Sequence, residues 1–290
     1  MPMPAAELRN EIAALRKAMS DTAGRPMILQ LHSDPLSLFF AGHDDVERLS
    51  QSGPATSDHI IRTKQFPMLG RDVEAFAAAY REYFAAHEGR ARTPLTMLDP
   101  APRVILEAAW GMISAGPTVK AARIAGDIYQ QTMTTILRAD ALESWQALSS
   151  EHVFDMEYWD LQQAKLRREG QPPVMAGEIG LVTGAASGIG KACVDSLLAR
   201  GAAVIGLDIN PDIETMYADN DAFLGITCDV TDEEHIKAAL EAGVRQFGGL
   251  DILVLNAGIF PKSSPIADIP TGIWQKTLDI NLTANLVLMR

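Results

Sequence analysis

The stretch from Gly177 to Lys191 constrains the fold of this chain more than any other part of its sequence. An apolar run at 179–183 is typical of a buried strand, and a helical pattern begins at Lys191. Between them lie three glycines, at 184, 188 and 190. Glycine lets the backbone approach a diphosphate closely, and the N–H groups of a helix N-terminus attract its charge. The stretch therefore predicts a strand, a glycine turn and a helix that form an anion site.

Strand and helix patterns alternate after this turn. Strands are predicted near 178–183, 202–208, 222–228 and 250–256, and helices near 189–200, 231–247 and 271–290. Strands that alternate with helices of this length indicate a parallel sheet with right-handed crossovers. We therefore predict an α/β fold in which a partial Rossmann-type, doubly wound parallel sheet occupies residues 178–290.

The first part of the chain is also predicted to be α/β. Amphipathic patterns predict helices over 5–19, 72–87, 118–141 and 156–168. Short apolar runs predict strands at 27–31 and 36–40, joined by a turn at 33–35, and an extended segment at 103–106. The segment Gly-Gln-Pro-Pro-Val-Met-Ala-Gly at 170–177 interrupts every pattern. We therefore place one domain at 1–169, a linker at 170–177 and a second domain at 178–290.

One acidic residue points to the choice of cofactor. Asp208 ends the second predicted strand of the second domain, 18 residues after Gly190. Dinucleotide folds place an acid there that binds the adenosine ribose hydroxyls. A carboxylate repels a 2′-phosphate, and the run 208–212 contains no arginine or lysine to bind one. The position favours NAD over NADP, although a strand-end aspartate taken alone is more often a solvated residue or a helix cap.

Four segments in order give this domain a resemblance to the short-chain dehydrogenase/reductase family. They are Thr183–Gly190, with its Thr-Gly-x-x-x-Gly-x-Gly spacing, Cys228-Asp-Val230, Asn256-Ala-Gly258 and Asp279-Ile-Asn-Leu282. Leu255 departs from the family pattern, which commonly has a second Asn there. The resemblance implies that Asn281 is an active-site residue. It also implies that the cofactor contacts are Gly184, Ser187, Gly188, Ile189, Gly190, Asp208, Ile209, Asp229, Val230, Asn256, Ala257 and Gly258.

The same resemblance identifies a part of the catalytic machinery that this sequence does not contain. The family uses a Tyr-x-x-x-Lys pair and a Ser beyond the helix of Asn281, where the Tyr transfers the proton. None of the five tyrosines here has a lysine four residues later, and the chain ends at Arg290 within the predicted helix. We therefore expect the sequence to be a fragment that binds nucleotide weakly and cannot itself oxidise an alcohol or aldehyde.

The first half resembles the aldolase part of bifunctional proteins that fuse a class II aldolase to a short-chain dehydrogenase. The resemblance rests on Asp58–Lys64, Asp99–Arg103 and Glu157–Lys165, followed by the dehydrogenase segments. The type case of these fusions is rhamnulose-1-phosphate aldolase/lactaldehyde dehydrogenase, which the chain resembles. The resemblance implies NAD-dependent oxidation of a small aldehyde or alcohol such as lactaldehyde, coupled to sugar-phosphate cleavage in rhamnose catabolism.

Class II aldolases bind zinc with three histidines, two of them as His-x-His. The six histidines of this chain are scattered singly, so we expect no metal site in it. His59, with Arg62 and Lys64 nearby, is compatible with the border of a phosphate site or a subunit contact, but a solvated or structural role is the more common one.

Charge and cysteine content restrict the partners. The net charge of -12 argues against nucleic acid and anionic membranes, which attract basic surfaces. Cys193 and Cys228 form neither a metal-type nor a redox-type pair, and the N-terminus does not resemble a signal peptide. We expect a cytoplasmic protein with a small-molecule substrate, and a homo-oligomer for the intact longer protein.

The sequence also allows two other functions. One is a nucleotide-binding module without catalysis, which would keep the cofactor half and supply an interaction surface. The other is an aldolase whose dehydrogenase half is accessory.

Overall fold

The computed structural model describes residues 5–91, 93–168 and 170–290. The chain divides into two compact units, Met1–Gly177 and Glu178–Arg290. Each unit contains its own sheet.

The first unit contains a four-stranded mixed sheet surrounded by helices. Its strands are β1 (Ile28–His32), β2 (Met68–Leu69), β3 (Val104–Glu107) and β4 (Gly111–Gly116), in the order β1-β4-β3-β2. β4 runs antiparallel to both of its neighbours, and β2 runs parallel to β3. Its described helices are α1 (Ala5–Ala23), α2 (Pro35–Ala41), α3 (Val46–Ser50), α4 (Ile60–Thr63), α5 (Val73–His87), α6 (Val119–Leu142), α7 (Ser150–Glu157) and α8 (Asp160–Arg168).

The core of this unit forms where α6 packs against the sheet. Met133 and Ile136 on α6 are fully buried beside Val104 and Met112 of the sheet and Phe40 of α2. Thr118 caps α6, because its side chain accepts a hydrogen bond from the N–H of Ala121 at 3.1 Å. The predicted helices over 5–19, 72–87 and 118–141 correspond to α1, α5 and α6.

The strand predicted at 36–40 is wrong, because this segment forms helix α2. The Asp34 side chain accepts hydrogen bonds from the N–H groups of Leu36 and Ser37, both at 3.1 Å. Pro35 follows at the first helical position, where its missing N–H costs nothing. Asp34-Pro35 is therefore a helix start and not the turn of a hairpin.

The single helix predicted over 156–168 is interrupted. α7 ends at Glu157 and α8 begins at Asp160. Tyr158 lies at the break, where its ring stacks on Phe154 with centroids 4.6 Å apart and its hydroxyl lies 2.9 Å from that of Tyr80. Packing of this buried tyrosine therefore overrides the continuous helical pattern.

The sequence patterns did not predict strand β4, Gly111–Gly116.

The second unit has the predicted parallel sheet. Its strands are β5 (Ile179–Thr183), β6 (Ala203–Asp208), β7 (Phe223–Thr227) and β8 (Ile252–Val254), in the order β7-β6-β5-β8, and all neighbours are parallel. Its described helices are α9 (Gly188–Ala199), α10 (Glu233–Phe247), α11 (Thr271–Leu278) and α12 (Ala284–Met289), and a π-helical turn at Asp279–Thr283 joins the last two.

The strand order of this unit determines where a ligand can bind. The chain passes from β5 to β6 and β7 on one side, and then crosses to β8 on the other side of β5. Such a reversal opens a crevice at the carboxyl ends of the strands, where doubly wound sheets bind their ligands. The second unit is therefore a Rossmann-like α/β unit. Among the residues that the structure describes, no helix has the length and apolar character needed to cross a membrane.

Candidate functional site

The glycine turn lies between β5 and α9. Gly184 and Gly188 adopt φ values of 65° and 54°, which disfavour other residues. Gly190 is required for a different reason, since a Cβ there would lie 2.0 Å from the carbonyl oxygen of Gly184. The structure therefore explains why glycine is needed at each of the three positions: Gly184 and Gly188 for their positive φ, and Gly190 for its close approach to Gly184.

The N-terminus of α9 is open towards this turn. Ser187 is its N-cap residue, and within the described part of the chain its side chain makes no capping hydrogen bond. The first N–H groups of a helix have no acceptor inside the helix. Apart from its chain neighbours and the backbone of its own helix, no described heavy atom lies within 4 Å of the position of a Cβ on Gly188, and Ile189 is 76% exposed. An anion can therefore reach these N–H groups directly.

Asp208 lies beside the turn at the end of β6. Its Oδ2 accepts a hydrogen bond from the N–H of Ala186 at 2.9 Å, and its Oδ1 accepts one from the N–H of Asn210 at 2.9 Å. A carboxylate has about four acceptor sites, so Asp208 retains capacity for ligand hydroxyls. Ile209, the next residue, is 71% exposed. The carboxylate is thus held at the mouth of the crevice with an apolar side chain beside it.

Asn256 and Thr183 connect β5 to the segment that follows β8. Asn256 Nδ2 donates to the carbonyl oxygens of Thr183 and Gly184, at 2.9 and 3.2 Å. The buried Thr183 hydroxyl accepts hydrogen bonds from the N–H groups of Asn256 and Ala257, both at 2.9 Å. Asn256 therefore positions the glycine turn. Thr183 was not predicted as a site residue, although a polar residue that ends a buried strand is a usable signal.

Asp229 and Val230 follow β7 and lie near the end of β6. The N–H of Cys228 donates to the carbonyl oxygen of Asp208 at 2.8 Å. Asp229 accepts hydrogen bonds from the N–H and hydroxyl of Thr231, at 2.9 and 2.7 Å, and these bonds lower the pKa of its carboxyl group. Val230 is buried. The segment 228–230 is therefore fixed beside Asp208.

Asn281 lies on the π-helical turn and faces the segment after β8. Its Oδ1 accepts from the N–H of Ile259 at 2.8 Å, and its Nδ2 donates to the carbonyl oxygen of Ile259 at 2.9 Å. Gly258 lies against the same side chain, since a Cβ there would be 3.3 Å from Asn281 Oδ1. The structure therefore places Asn281 at the same edge of the sheet as the glycine turn and shows it holding a loop.

The described residues contain no group of three or more His, Cys, Asp or Glu side chains that could bind a metal. His59 lies in a short 3-10 turn at Ser57–His59, directly before α4. That the chain binds no zinc remains a prediction.

Comparison with known proteins identifies two families in succession. Residues 6–166 match the family model of aldolase class II, second domain, and residues 178–290 match that of short chain dehydrogenase. An uncharacterized oxidoreductase of Bacillus subtilis, YuxG, is 27% identical over 100% of this chain and 45% of its own length. D-threitol dehydrogenase of Mycolicibacterium smegmatis is 37% identical over 39% of this chain and 45% of its own length.

The chain is also similar to a solved structure, that of a 3-ketoacyl-(acyl-carrier-protein) reductase from Brucella melitensis in complex with NADH. It is 30% identical, with a TM-score of 0.38, over 39% of this chain and 48% of that chain.

These findings define the class of protein: a class II aldolase part is followed by a short-chain dehydrogenase part. The chain belongs to the family described as aldolase class II, second domain, and carries a short-chain dehydrogenase domain after it. It spans about half the length of the curated relatives it matches, 45% for both of those named above.

Proposed function

We propose that this chain is the cofactor-binding part of an NAD-dependent oxidoreductase of the short-chain dehydrogenase type. The observation that carries the proposal is the position of the Asp208 carboxylate, 2.9 Å from the N–H of Ala186 in the glycine turn. A carboxylate at this position suits ribose hydroxyls and repels a 2′-phosphate. The site residues fit such a cofactor, because α9 presents uncapped N–H groups and Gly188 leaves open space for a diphosphate.

In this proposal the residues of the second unit divide into binding and positioning groups. The N–H groups at the start of α9 bind the diphosphate, Asp208 binds the adenosine ribose, and Asp229 and Val230 line the adenine side. Thr183 and Asn256 position the turn through the hydrogen bonds described above. A bound nicotinamide ring supplies the hydride acceptor for oxidation of an alcohol or aldehyde.

We further propose that the longer protein oxidises a small aldehyde or alcohol such as lactaldehyde and couples this to sugar-phosphate cleavage in rhamnose catabolism. The support is the order of the two family matches, aldolase part first and dehydrogenase part second. We propose a homo-oligomer for the longer protein, and the cytoplasm as its compartment, where thiols such as Cys193 and Cys228 remain reduced.

A second candidate is nucleotide binding without hydride transfer by this chain. Two observations favour it. The side-chain amide of Asn281 is engaged at both ends by the backbone of Ile259. No tyrosine of the sequence is followed four residues later by a lysine, so the usual proton-transfer pair is not present in these 290 residues.

One experiment separates the two candidates. NAD is titrated into the purified chain, and NADH formation from lactaldehyde and a panel of small alcohols is then followed by absorbance, beside the full-length protein. Saturable NAD binding with turnover only by the full-length protein supports the oxidoreductase proposal. Binding without turnover in either protein favours the second candidate, and no NAD binding by either contradicts both.

A further inference from the structure

A buried lysine lies at the wall of a cavity in the first unit. The cavity has a volume of about 720 Å³, and Lys64, Asp99 and Arg103 are among the residues that line it. Lys64 is only 5% exposed. Burial of a lysine is costly because its charge loses solvation. The functions described above give the amino group of Lys64 no role, although its position has this cost.

The backbone holds this lysine in an unusual conformation. Lys64 follows α4 with φ 65° and ψ 179°, and it is the one non-glycine residue with positive φ in the described part of the chain. Such strain persists only where the surroundings fix it, and it is common at functional sites. The Lys64 Nζ donates to the carbonyl oxygen of Asp99 at 2.7 Å and lies 3.9 Å from the centroid of the Tyr80 ring. The amino group is therefore held at a defined position.

The surroundings of Lys64 favour the neutral amine, which is the nucleophilic form. Burial lowers the pKa of Lys64 to about 8 against the opposing charge of Glu157, and the nearby Arg103 guanidinium acts in the same direction as burial. At neutral pH the neutral fraction is then on the order of a hundred times that of an exposed lysine. Desolvation and a cationic neighbour are known means of making a lysine a nucleophile for carbonyl groups.

A second cation lies close to this amino group. The carboxylate of Asp99 accepts a hydrogen bond from Arg103 Nη2 at 2.6 Å, while the backbone carbonyl of Asp99 accepts one from Lys64. Asp99 thus anchors both side chains. Arg62 and Lys120 also line the cavity and add positive charge. A ligand whose carbonyl carbon is bonded directly to a carboxylate matches this arrangement, because its reactive carbon and its charge are also adjacent.

We propose that Lys64 forms an imine with an α-oxo acid that binds in this cavity, with Arg103 beside the carboxylate of the ligand. The Lys64 nitrogen bonds to the carbonyl carbon and gives a carbinolamine. The carbinolamine then loses its oxygen as water, and the two protons of the amine leave with that oxygen. The step needs no oxidant or reductant. The buried Asp99 Oδ1, which has no hydrogen-bond partner among the described residues, accepts a hydrogen bond from the carbinolamine hydroxyl.

This reaction differs from the functions proposed above. Its ligand carries neither a phosphate nor a nucleotide, and the step breaks no carbon–carbon bond. The lysine, the arginines and the aspartate that it uses all lie in the first unit. Its failure would therefore leave the dinucleotide site of the second unit unaffected.

The test is reductive trapping of the purified chain with pyruvate and sodium cyanoborohydride at neutral pH. The reductant converts an imine to a stable secondary amine, which peptide mapping by mass spectrometry locates. We expect the adduct on Lys64 to exceed that on any other lysine by more than about tenfold, because its neutral fraction is larger. Acetone has the carbonyl group without the carboxylate and should label Lys64 less than pyruvate does. Lactate has no carbonyl group and should give no adduct.

A matched pair of variants locates the reaction. Lys64→Arg keeps the positive charge but cannot form the imine, and Lys120→Arg makes the same change at another lysine of the cavity wall. We expect Lys64→Arg to lose the adduct and Lys120→Arg to retain it. Thermal unfolding shows whether Lys64→Arg is folded. If it is not, the peptide map of the unaltered chain still decides.

Three results would overturn the proposal. They are the absence of an adduct with pyruvate, an adduct spread evenly over the lysines, and an adduct of equal amount in Lys64→Arg and the unaltered chain. Equal labelling of Lys64 by acetone and pyruvate would overturn the assignment of the ligand as an α-oxo acid.

Discussion

The carboxylate of Asp208 accepts a hydrogen bond from the N–H of Ala186 across 2.9 Å, which joins the end of β6 to the glycine turn after β5. These residues are 22 positions apart in the chain. The bond places a negative charge beside the N-terminus of α9, where the turn leaves space for a diphosphate. Asp208 therefore holds the turn, and we propose that it also restricts which cofactor can bind there.

This relationship predicts the effect of Asp208→Asn on cofactor choice. The substitution removes the charge and keeps a side chain of the same size, so repulsion of a 2′-phosphate should fall. We expect the ratio of the NADP and NAD dissociation constants to decrease about tenfold, which corresponds to about 1.4 kcal/mol. Fluorescence titration of both cofactors measures the ratio. The control is Asp212→Asn, which neutralises an exposed acid four residues later, and tighter binding of NADP by the unaltered chain would contradict the role of Asp208.

The close approach of Gly190 to Gly184 predicts a large effect of Gly190→Ala. The new Cβ would lie 2.0 Å from the Gly184 carbonyl oxygen and 2.6 Å from Asn256 Nδ2, so the turn has to move. Such overpacking typically costs about 1–3 kcal/mol. We expect a lower unfolding temperature and NAD binding weakened by about tenfold or more.

A matched control exists on α11 for this substitution. At Gly272 no described heavy atom lies within 4 Å of the added Cβ, apart from the chain neighbours and the backbone of α11, so Gly272→Ala should leave the unfolding temperature equal or slightly higher. Circular dichroism melting of both variants makes the comparison. Equal effects of the two substitutions would show that the turn tolerates a side chain.

The Thr183 hydroxyl predicts a difference between two substitutions of similar size. Thr183→Val removes the acceptor for two backbone N–H groups, and an unsatisfied buried group costs about 1–3 kcal/mol. Thr183→Ser keeps the oxygen and loses only a methyl group. Urea unfolding should therefore show Thr183→Val to be the less stable variant, and a Val variant as stable as the Ser variant would remove the positioning role assigned to this hydroxyl.

The histidine pattern predicts that the chain binds no zinc tightly. Elemental analysis of the purified protein, after dialysis without chelator, should give well below one zinc per chain. Addition of zinc should also leave the unfolding temperature unchanged. One zinc retained per chain would mean that residues from distant positions converge on a metal.

Much of the second unit could be predicted from its sequence, because its signals are local. A buried strand followed by glycines and a helix start determines the turn, and Asp208 follows at a fixed distance along the chain. The roles of Asn256 and Asn281 were harder to predict. The hydrogen bond of Asn256 to Gly184 depends on the pairing of β5 with β8, and that of Asn281 to Ile259 depends on how the π-helical turn packs against the segment after β8.

The first unit was predicted less completely, because tertiary packing decides several of its features. Asp34-Pro35 allows either a turn or a helix start, and hydrogen bonds to Leu36 and Ser37 select the helix. Tyr158 interrupts a continuous helical pattern through contacts with a residue 78 positions away. Lys64 stands in a short basic motif that is common on surfaces, and only the fold shows that it is buried.

The surroundings of Lys64 determine its protonation. Burial lowers the pKa of Lys64 to about 8, and the Glu157 carboxylate on α7 opposes this effect. Burial also raises the pKa of Glu157 above its usual range. Other charged or titratable groups near Lys64 include Tyr80 on α5 and Asp99, Arg103 and Arg25. The hydroxyl of Tyr158, after α7, lies 2.9 Å from that of Tyr80. The pKa of Tyr158 is raised to about 12, that of Tyr80 is raised, and that of Asp99 is lowered, so none of these three changes charge near pH 8.

The lowered pKa of Lys64 predicts how the stability of the first unit depends on pH. The pKa is about 8 in the folded chain and about 10.4 in an unfolded one, so the unfolded chain binds more protons between these two values. We therefore expect the free energy of unfolding to rise as pH increases from about 8 to about 9.5. Urea unfolding at four pH values measures this free energy. Lys64→Met should remove the rise, and an equal rise in the variant and the unaltered chain would mean that burial does not lower the pKa of Lys64.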